Sequence, residues 1–122
     1  MNWYNLYKMS SNTILTELTN NLKSQFPGLD LFVWENDEKI SLDNIVVPPE
    51  MRNKGIGTSV IKKLQEYARK VGKPIVLSPS PLKGKKEKLN RFYKKLDFKH
   101  NKGRNVDYTL TSPFGKTMYW KS

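Results

Sequence analysis

Apolar residues in the first quarter of the chain recur every four positions, at Ile14, Leu18, Leu22 and Phe26. That stripe predicts an amphipathic helix. Ser10-Ser11-Asn12-Thr13 supplies N-cap chemistry before it, and Pro27-Gly28 ends it. The first ten residues, with Trp3, Tyr4 and Tyr7, show no period and read as an aromatic arm. Two strand-like runs follow, Leu29 to Glu35 (LDLFVWE) and Lys39 to Val47 (KISLDNIVV), with Asn36-Asp37-Glu38 as the turn between them. Together they predict an antiparallel hairpin. Alternation along its second strand sets Ile40, Leu42, Asn44 and Val46 on one face and Ser41, Asp43, Ile45 and Val47 on the other.

Pro48-Pro49 stops that strand, and the loop from Glu50 to Gly57 opens a second helix. Val60, Ile61, Leu64, Tyr67, Ala68 and Val71 stand at helical spacing, with Gly72 as the stop. Pro74 to Ser78 (PIVLS) is short and continuously apolar, the pattern of a buried parallel strand. A Ser-Pro-Ser-Pro loop at 78–81 leads to a basic helix over about Lys85 to Leu96, striped by Leu89, Phe92, Tyr93 and Leu96. Two further strands are expected over Val106–Thr111 and Thr117–Trp120, joined by a turn at 112–115. The order α-β-β-α-β-α-β-β predicts an α+β (mixed α/β) domain. No repeat or linker divides residues 1–122, so they read as one domain. Within it, 1–28 form the arm and first helix, 29–98 the core, and 99–122 the C-terminal strands.

A chain of 122 residues is long enough for one real core. Cysteine is absent, which excludes disulfides, thiolate metal sites and a cysteine nucleophile. His100 is the single histidine, so no metal is expected and no serine–histidine triad is apparent. No apolar run approaches the ~18 residues of a membrane span, and the N-terminus lacks a secretory pattern. These features predict a soluble protein of a reducing compartment, the cytoplasm, with no membrane partner. The net charge of +11 is unevenly held: residues 1–50 carry −4 and residues 51–122 carry +15. A basic half of that size points to a polyanionic ligand or partner.

Two segments carry candidate chemistry. In the first, a strand and Pro-Pro precede Arg52-Asn53-Lys54-Gly55-Ile56-Gly57-Thr58, which opens a helix. A helix N-terminus has free N–H groups and roughly half a positive charge, and Arg52 and Lys54 add to it. These parts describe an anion cradle suited to a pyrophosphate. The run is neither a Walker A loop nor a G-x-G-x-x-G fingerprint, because the sixth position is Val60. An ordinary glycine-containing turn would read the same way. The second segment is Asn90-Arg91-Phe92-Tyr93-Lys94-Lys95-Leu96-Asp97-Phe98. Its tyrosine could donate a proton from a partly wet cleft, although aromatic residues at this spacing more commonly serve the core.

The run from Ile40 to Phe98 resembles the GNAT superfamily of acetyl-CoA-dependent N-acetyltransferases. The family pattern V-x-P-x-x-R-x-x-G-x-G stands as Val47-Pro48-Pro49-Glu50-Met51-Arg52-Asn53-Lys54-Gly55-Ile56-Gly57, off by one at the proline, and F-Y-x-x-x-G-F stands as Phe92 to Phe98. The short length, Asp97 and the ending Met118-Tyr119-Trp120 also resemble small phage-encoded members, among them an anti-CRISPR acetyltransferase. The resemblance implies a mixed central sheet splayed after the strand ending at Val47, with helices on both faces. It implies acetyl-CoA as cosubstrate, its pyrophosphate held by the N–H groups of Arg52, Asn53, Lys54, Gly55, Ile56, Gly57 and Thr58. The pantetheine arm would pair with Ile45-Val46-Val47 and bond Asn90, and the N–H of Ile45 would polarise the thioester carbonyl. A substrate amine would attack directly, with no acyl-enzyme, and Tyr93 would protonate the leaving thiolate. An amine must lose a proton to attack. Asp43 acting through a water is the candidate base and Glu35 the second, unless Asp43 is only a solvated carboxylate. Asp97 stands where the family has glycine, and aspartate tolerates the left-handed conformation.

Cofactor phosphates can occupy few of the charges crowded between Lys83 and Arg104. The remainder is either a solvated lysine-rich face or the footprint of a nucleic-acid-bearing target. The expected function is therefore acetyl transfer to a protein lysine or another amine on a nucleic-acid-associated target, in the host cytoplasm if the chain is phage-encoded. The alternative is a non-catalytic module binding nucleic acid or nucleoprotein through residues 83–104. Trp3, Tyr4 and Tyr7 would suit a homodimer or another partner contact.

Overall fold

The computed structural model describes residues 3–52, 54–78, 86–101 and 117–121. Its helices are α1 (Trp3–Gln25), α2 (Ile56–Val71) and α3 (Lys86–Lys95), and its strands are β1 (Asp30–Glu35), β2 (Ile40–Val46), β3 (Ile75–Leu77), β4 (Lys99–Asn101) and β5 (Thr117–Trp120). The strands form one mixed sheet in the order β1-β2-β3-β5-β4. The β2–β3 pair is parallel and the others antiparallel, the open α+β arrangement expected.

Helix α1 starts at Trp3, so the aromatic stretch read as an arm forms its first turns. No glycine or proline stands between residues 3 and 25 to break the helix. Its buried stripe uses Leu15 and Leu22, with Leu18 and Phe26 packed alongside, while Ile14 is 54% exposed. Strict four-residue spacing drifts around a helix of 3.6 residues per turn, and Leu15 is the position that returns to the core face.

The hairpin forms as expected, and Asn36 Oδ1 accepts from the N–H groups of Glu38 (2.8 Å) and Lys39 (2.9 Å) at its turn. Its register has a break that alternation did not foresee. Phe32 faces Asn44 but Val33 faces Leu42, leaving Asp43 as the extra residue of a β-bulge. The bulge transfers Ile45 and Val47 to the face of Leu42, so they no longer share the face of Ser41 and Asp43. Phe32 and Val46, on the Asp43 face, are 56% and 45% exposed.

Strand β2 pairs with β3 only over Ile40–Leu42 against Ile75–Leu77. Beyond Leu42 it keeps β1 alone as a described neighbour, and the sheet opens between β2 and β3 from Asp43 onward. At the sheet centre, Ile40, Leu42, Ile75 and Leu77 belong to the core, and Ser41 and Val76 on the opposite face are buried too. Both faces of the central strands are therefore covered.

Helix α2 buries Val60, Ile61, Leu64, Tyr67 and Ala68, as its periodicity predicts, and ends at Gly72 (φ 69°), whose N–H donates to Ala68 O. Gln65, also buried, donates to Leu96 O at 2.7 Å and ties α2 to the end of α3. Asp97 adopts the left-handed conformation (φ 68°), and the N–H groups of Leu96 and Phe98 return to Tyr93 O. Strand β4 was not anticipated, because Lys-His-Asn carries no strand signal. The expected strand over Val106–Thr111 and the turn at 112–115 lie outside the described residues. No helix among the described residues is long and apolar enough to cross a membrane.

Glu35 closes the far end of β1. Its side chain is 2% exposed, accepts from Tyr67 Oη and pairs with Lys73 Nζ at 2.9 Å. Burial, with the adjoining carboxylate, raises the Tyr67 phenol above its ordinary range. Glu35, the second candidate base, is thus held in a satisfied structural network.

Candidate functional site

The loop between β2 and α2 is shaped by its backbone chemistry. Pro49–Met51 form one 3-10 turn, and Arg52 Nε donates to Val47 O at 3.1 Å, closing the loop over the end of β2. Gly55 (φ 75°) then turns the chain into α2 without a side-chain cap. The first intrahelical bond at this end runs from Ser59 N to Gly55 O. The N–H groups of Ile56, Gly57 and Thr58 therefore lack helical partners.

These groups border a cleft of about 380 Å³ between the α2 N-terminus, the end of β2 and α3. Ile45 and Val47 form one wall, Phe92 and Tyr93 another, and Arg52 and Lys88 bring positive charge. A Cβ on Gly57 would stand 3.2 Å from Cζ of Phe92, so glycine there preserves the close approach of helix and ring. Free N–H groups, the positive helix end and two cations in one concavity suit a phosphorylated ligand.

A second cleft, of about 210 Å³, lies where β2 and β3 part. Asp43, Asn44 and Val46 line one side, Leu77 and Ser78 the other, while Ile45, Leu89 and Tyr93 line both clefts. Tyr93 is 4% exposed and packs edge-to-face on Phe92 (5.1 Å) and Phe98 (5.6 Å). Burial pushes its phenol up to about 12, because the phenolate would be poorly solvated. The phenol is therefore neutral at every physiological pH.

The bulge aims Asp43 away from the core side of β2. Its Oδ2 accepts from Trp34 Nε1 at 2.6 Å and its Oδ1 from Ser41 Oγ at 2.7 Å. Across the cleft, Ser78 Oγ is buried with no hydrogen-bond partner among the described residues.

The structure thus brings Ile45, Val47, Arg52, Gly55, Ile56, Gly57, Thr58 and Tyr93 into one cleft. Val46 and Asp43 border the other, and Lys54 and Asn90 border neither. Asn53 lies outside the described residues. Sequence reading missed Ser78 and Trp34, and placed Lys88 only within the basic run of 83–104. Lys88 stands one turn before Phe92 on α3 and was hidden among many lysines. Ser78 ends the apolar PIVLS run. Trp34 had no signal of its own, since its partner Asp43 depends on the bulge. Among the described residues no three histidine, cysteine, aspartate or glutamate side chains cluster as metal ligands.

Comparison with known proteins agrees with this geometry. Residues 24–100 match the acetyltransferase (GNAT) domain family. That span contains both clefts. A comparison with curated proteins gave no match. Among solved structures, the chain is similar to the anti-CRISPR protein AcrVA5, with TM-score 0.58 and 27% identity over 77% of this chain and 90% of that one. It is similar in fold to an acetyltransferase from Streptococcus agalactiae (TM-score 0.58, 17% identity, 77% of this chain, 59% of that one). It is likewise similar to Ard1 from Thermoplasma volcanium (TM-score 0.56, 15% identity, 86% and 78%). The uncapped α2 N-terminus with Arg52 and Lys88 fits the phosphates of coenzyme A. The chain belongs to the GNAT family, and is an acetyl-CoA-dependent acetyltransferase.

Proposed function

We propose that the chain transfers the acetyl group to an amine on a protein, within a nucleic-acid-associated target, by direct attack. The observation that carries this reading is the position of Tyr93 on the wall shared by the phosphate-suited cleft and the Asp43 cleft. Acetyl-CoA supplies the activated thioester. The N–H groups of Ile56, Gly57 and Thr58, with Arg52 and Lys88, hold its phosphates. Ile45, at the opened edge of β2, offers its backbone N–H to the thioester carbonyl, and Val46 and Val47 continue the edge along which the pantetheine arm lies.

Asp43, fixed by Trp34 and Ser41, takes a proton from the incoming ammonium through a water. The free amine attacks the carbonyl carbon; the N–C bond forms, the C–S bond breaks, Tyr93 gives its proton to the departing sulfur, and the nitrogen releases its second proton to water as the amide forms. The products are the amide and the free thiol, and proton exchange with water restores both side chains. Burial disfavours a thiolate as it disfavours the Tyr93 phenolate, so the two effects offset each other in the transfer. No acyl-enzyme is needed, in keeping with the absence of cysteine.

Two features support the target. Lys88, Arg91, Lys94, Lys95 and Lys99 are exposed on and just after α3, a concentration of charge suited to a polyanion. The likeness to a protein described as anti-CRISPR is in keeping with a nucleic-acid-associated target. A cysteine-free chain consuming acetyl-CoA also suits the cytoplasm. The test is incubation with acetyl-labelled acetyl-CoA in a lysate containing nucleoprotein complexes. Label is expected in protein that sediments with nucleic acid. Label confined to small molecules would overturn the target.

A further inference from the structure

Gln65 is 6% exposed, on a helix whose other buried positions are apolar or aromatic. Burying an amide costs free energy unless it is hydrogen-bonded, and Gln65 Nε2 donates to Leu96 O at 2.7 Å. An aliphatic side chain of the same length would pack here without that requirement; what the amide adds is a fixed point on α3. We propose that Gln65 is a positioning residue: through the end of α3 it sets where the Tyr93 hydroxyl stands in the wall between the two clefts. The inference rests on the reading of Tyr93 as proton donor and adds the residue that places it.

The path from Gln65 to Tyr93 is short and runs through backbone. Helix α3 ends in a Schellman motif: Phe98 N–H donates to Tyr93 O and Asp97 N–H to Lys94 O, each at 3.1 Å, with Asp97 left-handed (φ 68°). Leu96 N–H also donates to Tyr93 O, at 3.0 Å. The carbonyl of Leu96 lies past the last helical residue and has no partner inside the helix; Gln65 supplies one. The peptide unit joining Leu96 to Asp97 is therefore gripped on both sides, its C=O by Gln65 and its N–H by Lys94 O. Turning that unit would move Phe98, whose N–H and ring both bear on Tyr93, the rings 5.6 Å apart. Gln65 is itself held, because Tyr67 and Lys73 tie α2 to Glu35 of β1. About two turns earlier on α2, Gly57 lies against Phe92. Helix α3 is thus referenced to α2 on both sides of Tyr93, at Phe92 and at Leu96. The same α2 presents the phosphate-suited N–H groups, so cofactor and proton donor share one frame.

The test uses the full chain, below its melting temperature. Gln65→Met keeps the length and deletes the donor; Gln65→Asn keeps the amide and withdraws it by one methylene. Each should lower the single-turnover rate constant for acetylation of Nα-acetyl-lysine methylamide, with acetyl-CoA saturating, by about ten- to a hundredfold, the scale of a misplaced reacting group. The acetyl-CoA-induced Tm shift should keep its wild-type size. In a Tyr93→Phe background, Gln65→Met should slow transfer no further, because a residue that acts through the phenol loses its effect once the phenol is gone. In the ligand-free protein, hydrogen exchange at the Leu96 and Phe98 amides, read by NMR, should quicken about tenfold in Gln65→Met, the scale of one lost hydrogen bond. Equal losses of rate in the two backgrounds overturn the proposal, since they assign Gln65 to general packing. An unchanged rate in both Gln65 variants overturns it too, as does unchanged exchange at the two amides. A wild-type rate in Tyr93→Phe alone overturns the underlying proton-donor reading instead.

Discussion

Trp34 Nε1 donates to Asp43 Oδ2 at 2.6 Å, across a register break that makes Asp43 the bulged residue of β2. The hairpin therefore does more than contribute an edge to the sheet: it turns a carboxylate toward the opened side of β2 and holds it there. A hydrogen bond to a charged group contributes roughly 1.5–3 kcal/mol. Trp34→Phe keeps most of the apolar bulk and deletes the donor. It is expected to lower kcat/KM for the acceptor about tenfold or more while leaving the acetyl-CoA-induced Tm shift unchanged, as measured by steady-state kinetics and thermal melting.

Gly57 concerns the other cleft. Its position under Phe92 leaves 3.2 Å for a Cβ, and its N–H is among those without a helical partner. Gly57→Glu adds both bulk and negative charge at the helix end that suits phosphates. The acetyl-CoA Tm shift is expected to disappear. A shift of wild-type size would remove the α2 N-terminus from cofactor binding.

Glu35 is expected to matter for stability alone. It is buried between Tyr67 and Lys73 and borders neither cleft. Removing one partner of a buried ion pair costs about 3 kcal/mol. Glu35→Gln should lower the denaturant midpoint accordingly while acetyl-CoA binding, measured well below the melting temperature, stays the same.

Alkaline stability follows from Tyr93. Its phenol ionises near 10 in the unfolded chain and at about 12 in the folded one, so the folded state holds its proton more tightly. The associated stability is complete below pH 10 and is lost as pH rises from 10 to 12. Two units correspond to roughly 2.7 kcal/mol. Tyr67 slopes the same way. Tyr93→Phe is expected to flatten the decline in unfolding free energy over that window, measured by denaturant titration at pH 9, 10, 11 and 12.

The parts of the fold that could be read in advance are those with long periodicity or strong punctuation. The α2 stripe, its Gly72 stop, the Asn36 turn and the buried β3 run all follow from local chemistry, and so does the Pro-Pro to glycine entry that frames the first cleft. What escaped the sequence depends on tertiary context. The bulge at Asp43 inserts one residue into a strand whose alternation looks regular either way, and it reverses the faces of Ile45 and Val47. Helix α1 buries Leu15 rather than Ile14 because the 3.6-residue period, not a strict four-residue spacing, sets Leu15 on the face of Leu22. The parting of β2 and β3 beyond Leu42 also depends on tertiary pairing, and it was expected from the family resemblance rather than from any local pattern. Asp97 was legible in part: its tolerance of positive φ was anticipated, and it adopts φ 68°.

The most direct test of the central claim is single-turnover acetylation of Nα-acetyl-lysine methylamide by Tyr93→Phe against wild type, with acetyl-CoA saturating. If Tyr93 protonates the departing sulfur, the rate constant for transfer should fall about 10²-fold or more, and the acetyl-CoA-induced Tm shift should remain within error of wild type. An unchanged rate constant would contradict that role and return Tyr93 to the core aromatics around it.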